Sequence, residues 1–335
     1  MESKIKNIAK IEIKHLWNNS KLNFVWELNQ DVNILAGDNG TGKSTVLDLV
    51  SNLLKGSFKN DLDEIIKYIK ITFNTGQHII FEKIEDSLLN LEKKAQRDNN
   101  LKEIIQDLKR DKGKEFNKIK SLGFNRISFE SLHIQPDKLN EIIGIEYIKT
   151  FDQKLIDKET AEHIVGHRIQ TDLDIQISKL QTKYLNYQID LGKRALDLTK
   201  SKNTQLDIKI DEKLLIFKET INKLFEVTKK HINPNDNYIS FIQNKNILKP
   251  FQLSSGEKQL LIILLTALVQ DNKPFIVLMD EPEISLHTDW QEQLVESILK
   301  LNENAQIIIA THSPFVVSHR WTNKVFQIEN LIKTK

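Results

Sequence analysis

The chain opens on a strand-like rhythm. Ile5 to His15 and Asn23 to Leu28 alternate apolar and polar residues around an "NNS" turn, which predicts two strands. Val32 to Ala36 is a short, continuously apolar run that ends at Gly37. Beyond it the spacing becomes helical, with apolar residues at 46, 47, 50, 53 and 54 and Gly56 as the stop. "IIKYIKITFNTGQHIIFEKI" then reads as two strands joined through Asn74-Thr75-Gly76. Residues 86 to 120 are charged and helical in pattern, and Ile127 to Ile134 and Ile142 to Ile148 read as further strands.

From about Thr160 to Ile232 the pattern changes to long helices. Apolar residues recur at 173, 177, 180, 184, 187 and 191, and again at 214, 217, 221, 224 and 227. Two helices joined near "TKSKNTQ" follow from this. The first, from about Asp172 to Leu198, would be roughly 40 Å long, which suits a helical arm but not an extended coiled coil. Tyr238 to Ile242 returns to strand. The final third then alternates: an apolar helix after "LSSGEKQ", the strand "FIVLM", a helix from about Asp289 to Leu301, the strand "QIIIA", a short helix after Ser313 and the strand "KVFQI". Short, continuously apolar strands between helices predict a parallel sheet covered on both faces. No internal repeat or low-complexity segment interrupts it.

Composition narrows the class. The 335 residues suffice for one large domain with an insertion, and 39% apolar with 28% charged residues fits a soluble protein. The formal net charge of +2 argues neither for nor against a nucleic-acid partner. There is no cysteine, which excludes disulfides, thiol catalysis and cysteine-bound zinc and agrees with a cytoplasmic location. No signal peptide is visible, and the most apolar stretch, Leu260 to Val269, has about half of the ~20 residues a membrane span needs.

Three stretches carry candidate chemistry. "GDNGTGKST" places Gly37, Gly42, Lys43 and Ser44 in the GxxxxGK[ST] spacing between a strand and a helix. In such a loop backbone amides surround phosphate oxygens, the helix N-terminus adds positive potential, Lys43 reaches the β- and γ-phosphates, and Ser44 can ligate Mg²⁺. "FIVLMDEPE" ends a buried strand in Asp280 and Glu281, where α/β sheets bind ligands. Asp280 would hold Mg²⁺, through water, and Glu281 would act as general base on the attacking water. "QIIIATHSPF" ends the next strand in Thr311 and His312. His312 could contact a γ-phosphate, and Ser313 could cap a short helix that starts at Pro314. A fourth stretch, "LSSGEKQ", has Ser254 and Glu257 at capping-box spacing and opens the apolar helix.

Taken together, these stretches resemble the ABC-type ATPase heads of the SMC, RecF and OLD (overcoming lysogenization defect) group. "GDNGTGKST" corresponds to Walker A, "LSSGEKQ" to the signature, "FIVLMDEPE" to Walker B and "ATHSP" to the histidine switch. "DEPEISLH" followed by "THSP" is similar to the compact OLD-like and Septu-like ATPases, which often act in anti-phage defence. The implied fold class is α/β: a P-loop NTPase head with an antiparallel β subdomain and an inserted α-helical arm. The head takes residues 1–151 and 237–335, and the arm takes 152–236.

The resemblance also assigns residues. Gly37, Asp38, Asn39, Gly40, Thr41, Gly42, Lys43, Ser44 and Thr45 would bind ATP, with Ser44 and Asp280 on Mg²⁺. Ser254, Ser255 and Gly256 would meet the γ-phosphate of an ATP held by a second subunit. Glu281 and His312 would be catalytic. A Q-loop glutamine is expected at Gln153, with Gln135 as the alternative, and no aromatic residue is assigned to the adenine. Departures from the transporter pattern are Ser255 for Gly, Glu257 for Gln and His287 for Asp, which disfavour a transporter. OLD proteins proper carry a C-terminal TOPRIM nuclease domain, for which the chain leaves no room, and the arm has no zinc hook.

The expected activity is hydrolysis of ATP to ADP and phosphate by a homodimer or higher homo-oligomer that controls a separate effector, such as a nuclease or toxin. Two other readings stay open: a RecF- or SMC-like ATPase that binds DNA directly, and a scaffold whose ATPase is slow or silent. Lysines and arginines in 93–120 and at Lys193, Arg194, Lys200 and Lys202 fit a solvated face, a DNA contact or a partner-docking surface. No membrane partner is expected.

Overall fold

A computed structural model of the chain describes residues 4–56, 62–87, 95–96, 102–103, 105–107, 110, 121–135, 138–149, 171–201, 212–317 and 320–334. Two β-sheets divide the head. The alternating N-terminal segments form an antiparallel sheet of β1 (Ile8–Lys14), β2 (Leu22–Glu27), β4 (Tyr68–Phe73), β5 (His78–Ser87), β6 (Ser121–Ser128) and β14 (Ile332–Thr334), in the order β14-β2-β1-β4-β5-β6. The continuously apolar runs form a parallel sheet of β3 (Val32–Ala36), β7 (Gly144–Lys149), β11 (Phe275–Asp280), β12 (Ala305–Thr311) and β13 (Val325–Gln327), in the order β13-β3-β12-β11-β7. A third, three-stranded sheet joins β8 (His231–Ile232), β9 (Phe241–Gln243) and β10 (Asn246–Leu248).

The parallel sheet is apolar on both faces because it is covered on both. Val277, Met279, Ile307 and Ile309 face the helical layer. Their neighbours Ile276, Leu278, Ile308 and Ala310 face the antiparallel sheet and α1 (Lys43–Leu54). This is the period-2 rule applied to a strand with no solvent side. One polar residue joins the two sheets. Gln306 is fully buried; its amide donates to the carbonyls of Ile8 (2.7 Å) and Asn29 (2.8 Å) and its oxygen accepts from Ile8 N–H (2.7 Å). With every polar atom paired, the buried amide fixes where β1 lies on the parallel sheet.

The helical layer comprises α2 (Asp172–Ser201), α3 (Glu212–Leu224), α4 (Ser255–Val269) and α5 (Thr288–Leu301). The six-residue stripe read on α2 is the set it buries: Leu173, Ile177, Leu180, Tyr184, Tyr187 and Leu191. These side chains join the core that contains α4. α2 runs parallel to α4, with Asp174 beside Lys258 at one end and Arg194 2.9 Å from Asp271 at the other. Over its described length the inserted helix therefore lies along the head instead of standing away from it. On α3, Phe217, Ile221 and Leu224 are buried as the spacing requires. Val227 departs from the pattern and is 84% exposed, because α3 stops at Leu224 and Glu226–Thr228 turns as a 3₁₀ helix.

Several strands differ from expectation, and the short β8 and β10 were not anticipated. The strand expected over 127–134 is β6, which ends at Ser128 before a 3₁₀ turn at Glu130–Leu132. β14 was not anticipated, because three residues are too few to show a period; it is held by pairing with β2. Most of 86–120 lies outside the described residues. No helix among the described residues is long and apolar enough to cross a membrane.

Candidate functional site

Parallel register builds the site. Ala36 pairs with Thr311, and Ala310 pairs with Asp280, so β3, β12 and β11 finish along one edge of the sheet. Each C-terminal end hands over to a loop carrying one of the sequence motifs. Residues separated by hundreds of positions thereby meet without any long side-chain reach.

The 37–45 loop runs from β3 into α1. Asp38, Asn39 and Gly40 form its exposed turn, closed by the Thr41 hydroxyl donating to Asp38 O (2.8 Å). Gly42 has a left-handed backbone (φ 96°), and a Cβ there would lie 2.3 Å from the Trp17 ring. The positive φ favours glycine, and any Cβ there would have to displace the Trp17 ring. The Lys43 ammonium is buried in the hollow of the loop, donating to Gly37 O (2.9 Å) and Asp38 O (3.0 Å) and lying 3.6 Å from Glu281 Oε1. Ser44 and Thr45 continue into the first turn of α1, whose leading amides have no intrahelical acceptor. A buried cation, a backbone cradle and a helix N-terminus are the donor set that a polyphosphate needs.

The acidic strand end meets this loop directly. Ser44 Oγ donates to Asp280 Oδ1 (2.9 Å) across 236 positions of sequence. Burial, aided by the charges of Glu281 and Asp48, holds the Asp280 carboxyl above its ordinary value, against the pull of the Ser44 hydrogen bond. A hydroxyl and a carboxylate in contact at this point fit the Mg²⁺ ligand pair expected from sequence. Glu281 follows with a left-handed backbone (φ 48°), an unfavourable conformation for a residue with a Cβ. Its N–H donates to Ala310 O (2.8 Å), which ties it to β12. His312 Nδ1 lies 2.5 Å from Glu281 Oε2, so the two residues expected to be catalytic are hydrogen-bonded partners.

Glu283 was given no role from sequence, yet it organises the histidine loop. Its Oε1 accepts from the Thr311 hydroxyl and from the N–H groups of His312 and Ser313 (both 3.3 Å). Burial and the neighbouring Glu281 push its carboxyl up to about 6, with the Thr311 hydrogen bond opposing. Ser313 caps the turn at Pro314–Val317, as expected, with its Oγ accepting from Phe315 N–H (3.2 Å). Glu281, Glu283 and His312 bring one potential ligand atom each within 4.8 Å of one another. The Lys43 ammonium already supplies positive charge there, so the trio reads as an acid–base group. A cavity of about 760 Å³ opens beside it, lined by Gly37, Asp38, Thr311, His312, Ser313 and Phe315 among others.

The stretch read as a signature from sequence stands on different supports. Ser254 is the N-cap of α4, its Oγ accepting from Glu257 N–H (3.3 Å) while Glu257 Oε2 accepts from Ser254 N–H (2.9 Å). The capping box read from sequence is therefore present. Ser254 and Ser255 are exposed. Gly256 is buried, and a Cβ on it would sit 2.1 Å from the Ser285 carbonyl oxygen, so the helix start can approach that loop only as glycine. Among the described residues, no hydrogen bond or ion pair joins Ser254, Ser255 or Gly256 to residues 37–45. His287 also acquires a local reason: it is the N-cap of α5, with Nδ1 accepting from Asp289 N–H (3.4 Å).

Gln153 lies outside the described residues. Gln135, its alternative, is exposed in a turn where its carbonyl accepts from Lys138 N–H (3.0 Å). Trp17, like Glu283, was given no role from sequence. It sits between β1 and β2, 39% exposed, with its ring against Gly42. The only advance signal was an aromatic residue within a polar turn.

Known proteins place this arrangement. A family profile described as "AAA domain, putative AbiEii toxin, Type IV TA system" matches residues 32–318. The Retron Vc95 probable ATPase of Vibrio cholerae serotype O1 biovar El Tor is 23% identical over 386 aligned residues, covering 94% of this chain and 73% of the relative. The Retron Ec83 probable ATPase of Escherichia coli is 28% identical, over 41% of this chain and 32% of its own length. Among solved structures, the Smc head bound to the C-winged helix domain of ScpA aligns over 93% of this chain and 91% of its own, with 16% identity and a TM-score of 0.49. That overlap is too loose to bear on function. The family profile begins at the first residue of β3 and ends just past the histidine loop; the chain belongs to the AAA-domain family described as "AAA domain, putative AbiEii toxin, Type IV TA system".

Proposed function

We propose that this ATPase is a nucleotide-driven switch whose two copies close around ATP and thereby control a separate effector protein. The observation that carries this reading is the split between the two faces. Ser44, Asp280, Lys43, Glu281 and His312 form one connected group, whereas exposed Ser254 and Ser255 have no hydrogen bond or ion pair to it among the described residues. A signature with no phosphate of its own to meet is suited to the nucleotide of a second copy.

Within one site, the loop amides and Lys43 would hold the polyphosphate, Ser44 and Asp280 would hold Mg²⁺, and exposed Trp17 would offer its ring to the base. Mg²⁺ supplies charge neutralisation on the phosphate oxygens. Glu281 takes a proton from the attacking water, and His312 orients the carboxylate through Nδ1. Thr311, His312 and Ser313 are kept in place by Glu283.

A defence role agrees with relatives named as retron probable ATPases and with the family's toxin–antitoxin description. Three of the described basic side chains of the insertion have acidic partners within the chain, which favours a solvated or protein-facing surface there over a DNA-facing one. Lys183 pairs with Glu146 (3.0 Å), Lys193 with Asp190 (3.2 Å) and Arg194 with Asp271 (2.9 Å).

Glu281→Gln is the direct test. It should lower turnover by about 100-fold or more while ATP binding persists, and light scattering with ATP should show an accumulated dimer. Turnover equal to the parent chain would remove Glu281 from the mechanism.

A further inference from the structure

The two residues that follow Gly256 are both charged and both buried: Glu257 is 1% exposed and Lys258 is 7% exposed. Each takes its counter-ion from the helical insertion, but from opposite ends of it. Lys258 Nζ lies 2.8 Å from Asp174 Oδ1, in the first turn of α2. Glu257 accepts from Lys230 Nζ at both carboxylate oxygens (2.8 Å each), and Thr228 Oγ1 lies 2.9 Å from its Oε1. Thr228 and Lys230 are where the chain leaves α3 and returns to the head.

Both carboxylates also cap helices. Asp174 Oδ2 accepts from Thr171 N–H (3.2 Å) and Thr171 Oγ1 lies 3.3 Å from the Asp174 nitrogen, the same reciprocal arrangement that Ser254 and Glu257 make at α4. The start of α2 and the start of α4 are thus each fixed by a carboxylate that is half of a buried ion pair. Burying charges in this way is a poor route to stability, but each pair is costly to break and admits one geometry.

We infer that the insertion holds the signature from both sides, and that Asp174 and Lys230 are positioning residues for Ser254. The inference rests on the reading of Ser254 as a contact for a second copy's nucleotide. A displacement of α2 or of the α3–β8 turn, as by a bound effector, would be transmitted to Ser254 through these two pairs while leaving the 37–45 loop in place. The insertion then becomes the input of the switch.

The test uses the absence of cysteine, since Ser255→Cys gives a single thiol for a nitroxide label. Without nucleotide, the label should move faster in Lys230→Met and Asp174→Asn backgrounds than in the parent. In unlabelled protein, the ATP concentration for self-association should rise roughly tenfold in each, with binding of a fluorescent ATP analogue to the single chain unchanged. The exchange pair Asp174→Lys with Lys258→Asp rebuilds the ion pair but not the cap on Thr171, so it should restore both readouts in part, and it also covers the case in which Asp174→Asn fails to fold. Label motion equal to the parent in folded Lys230→Met and Asp174→Asn would overturn the inference. A parent chain that does not associate with ATP would sink the switch itself, and the label would still decide whether the insertion holds the signature.

Discussion

The nucleotide face and the signature face each bury a glutamate beside their motif, with opposite results. For Glu257, burial works against ionisation, but hydrogen bonds from Lys230, Ser254 and Thr228 outweigh it and keep the carboxyl below its ordinary value. For Glu283, burial is joined by the carboxylate of Glu281, and the group is pushed up to about 6. One face is electrostatically closed as folded, as a positioning element should be. The other is left with like charges in contact, a pattern typical of sites that do chemistry.

The division of labour can be broken most sharply by mixing two inactive variants. Lys43→Ala removes the cation of the loop but keeps the signature. Ser254→Arg keeps the loop but blocks the signature. Each alone should be inactive. In an equal mixture half of the dimers combine the two, and each holds one intact composite site, so about a quarter of parental turnover should return. A mixture that stays at the level of its components would show that both faces serve the same chain.

A smaller effect separates the reasons for the glycines. At Gly256 the obstacle to a Cβ is the Ser285 backbone, 2.1 Å away, which cannot swing aside. Gly256→Ala should cost roughly 3 kcal/mol of stability in urea unfolding, the upper end of overpacking. At Gly42 the obstacle is the flexible Trp17 side chain. A Gly256→Ala chain as stable as its parent would mean that the signature glycine is kept for an approaching phosphate and not for packing.

What could be read in advance follows the same division. The parallel sheet was legible because strands buried on both faces are continuously apolar, and the loops at its edge carry fixed spacings, so Lys43, Ser44, Asp280, Glu281 and His312 were all nameable. The α2 stripe was legible to the residue, but not its destination. An apolar stripe at helical spacing states that one face is covered and does not state by what. Trp17, Glu283, Asp174 and Lys230 stayed hidden because their roles depend on contacts between segments far apart in sequence. Thr311 and Glu283, for example, are 28 positions apart, and Lys258 and Asp174 come from different helices.

The two buried glutamates supply the subtlest test. A carboxyl held above its ordinary value binds a proton more tightly in the folded chain, so Glu283 lowers stability above pH 6 and relieves that loss as pH falls towards 4.5. The gap between 4.5 and about 6 corresponds to about 2 kcal/mol. Gln at this position keeps an oxygen for Thr311 and the two amides and adds a donor towards Glu281. Glu283→Gln should therefore gain about 1–2 kcal/mol at pH 8 and lose the pH dependence between 6 and 4.5. Glu257 has the opposite sign: its contribution is present above its ordinary value of 4.5 and disappears as pH falls through its depressed one. Glu257→Gln should destabilise at pH 8, because Lys230 would be left beside a neutral amide. Urea unfolding of both variants at pH 8 and pH 5 reads the Glu283 sign, and a further measurement below pH 4.5 reads that of Glu257. If both substitutions destabilise at pH 8, Glu283 is ionised and well paired in the folded chain, and the electrostatic contrast between the faces is lost.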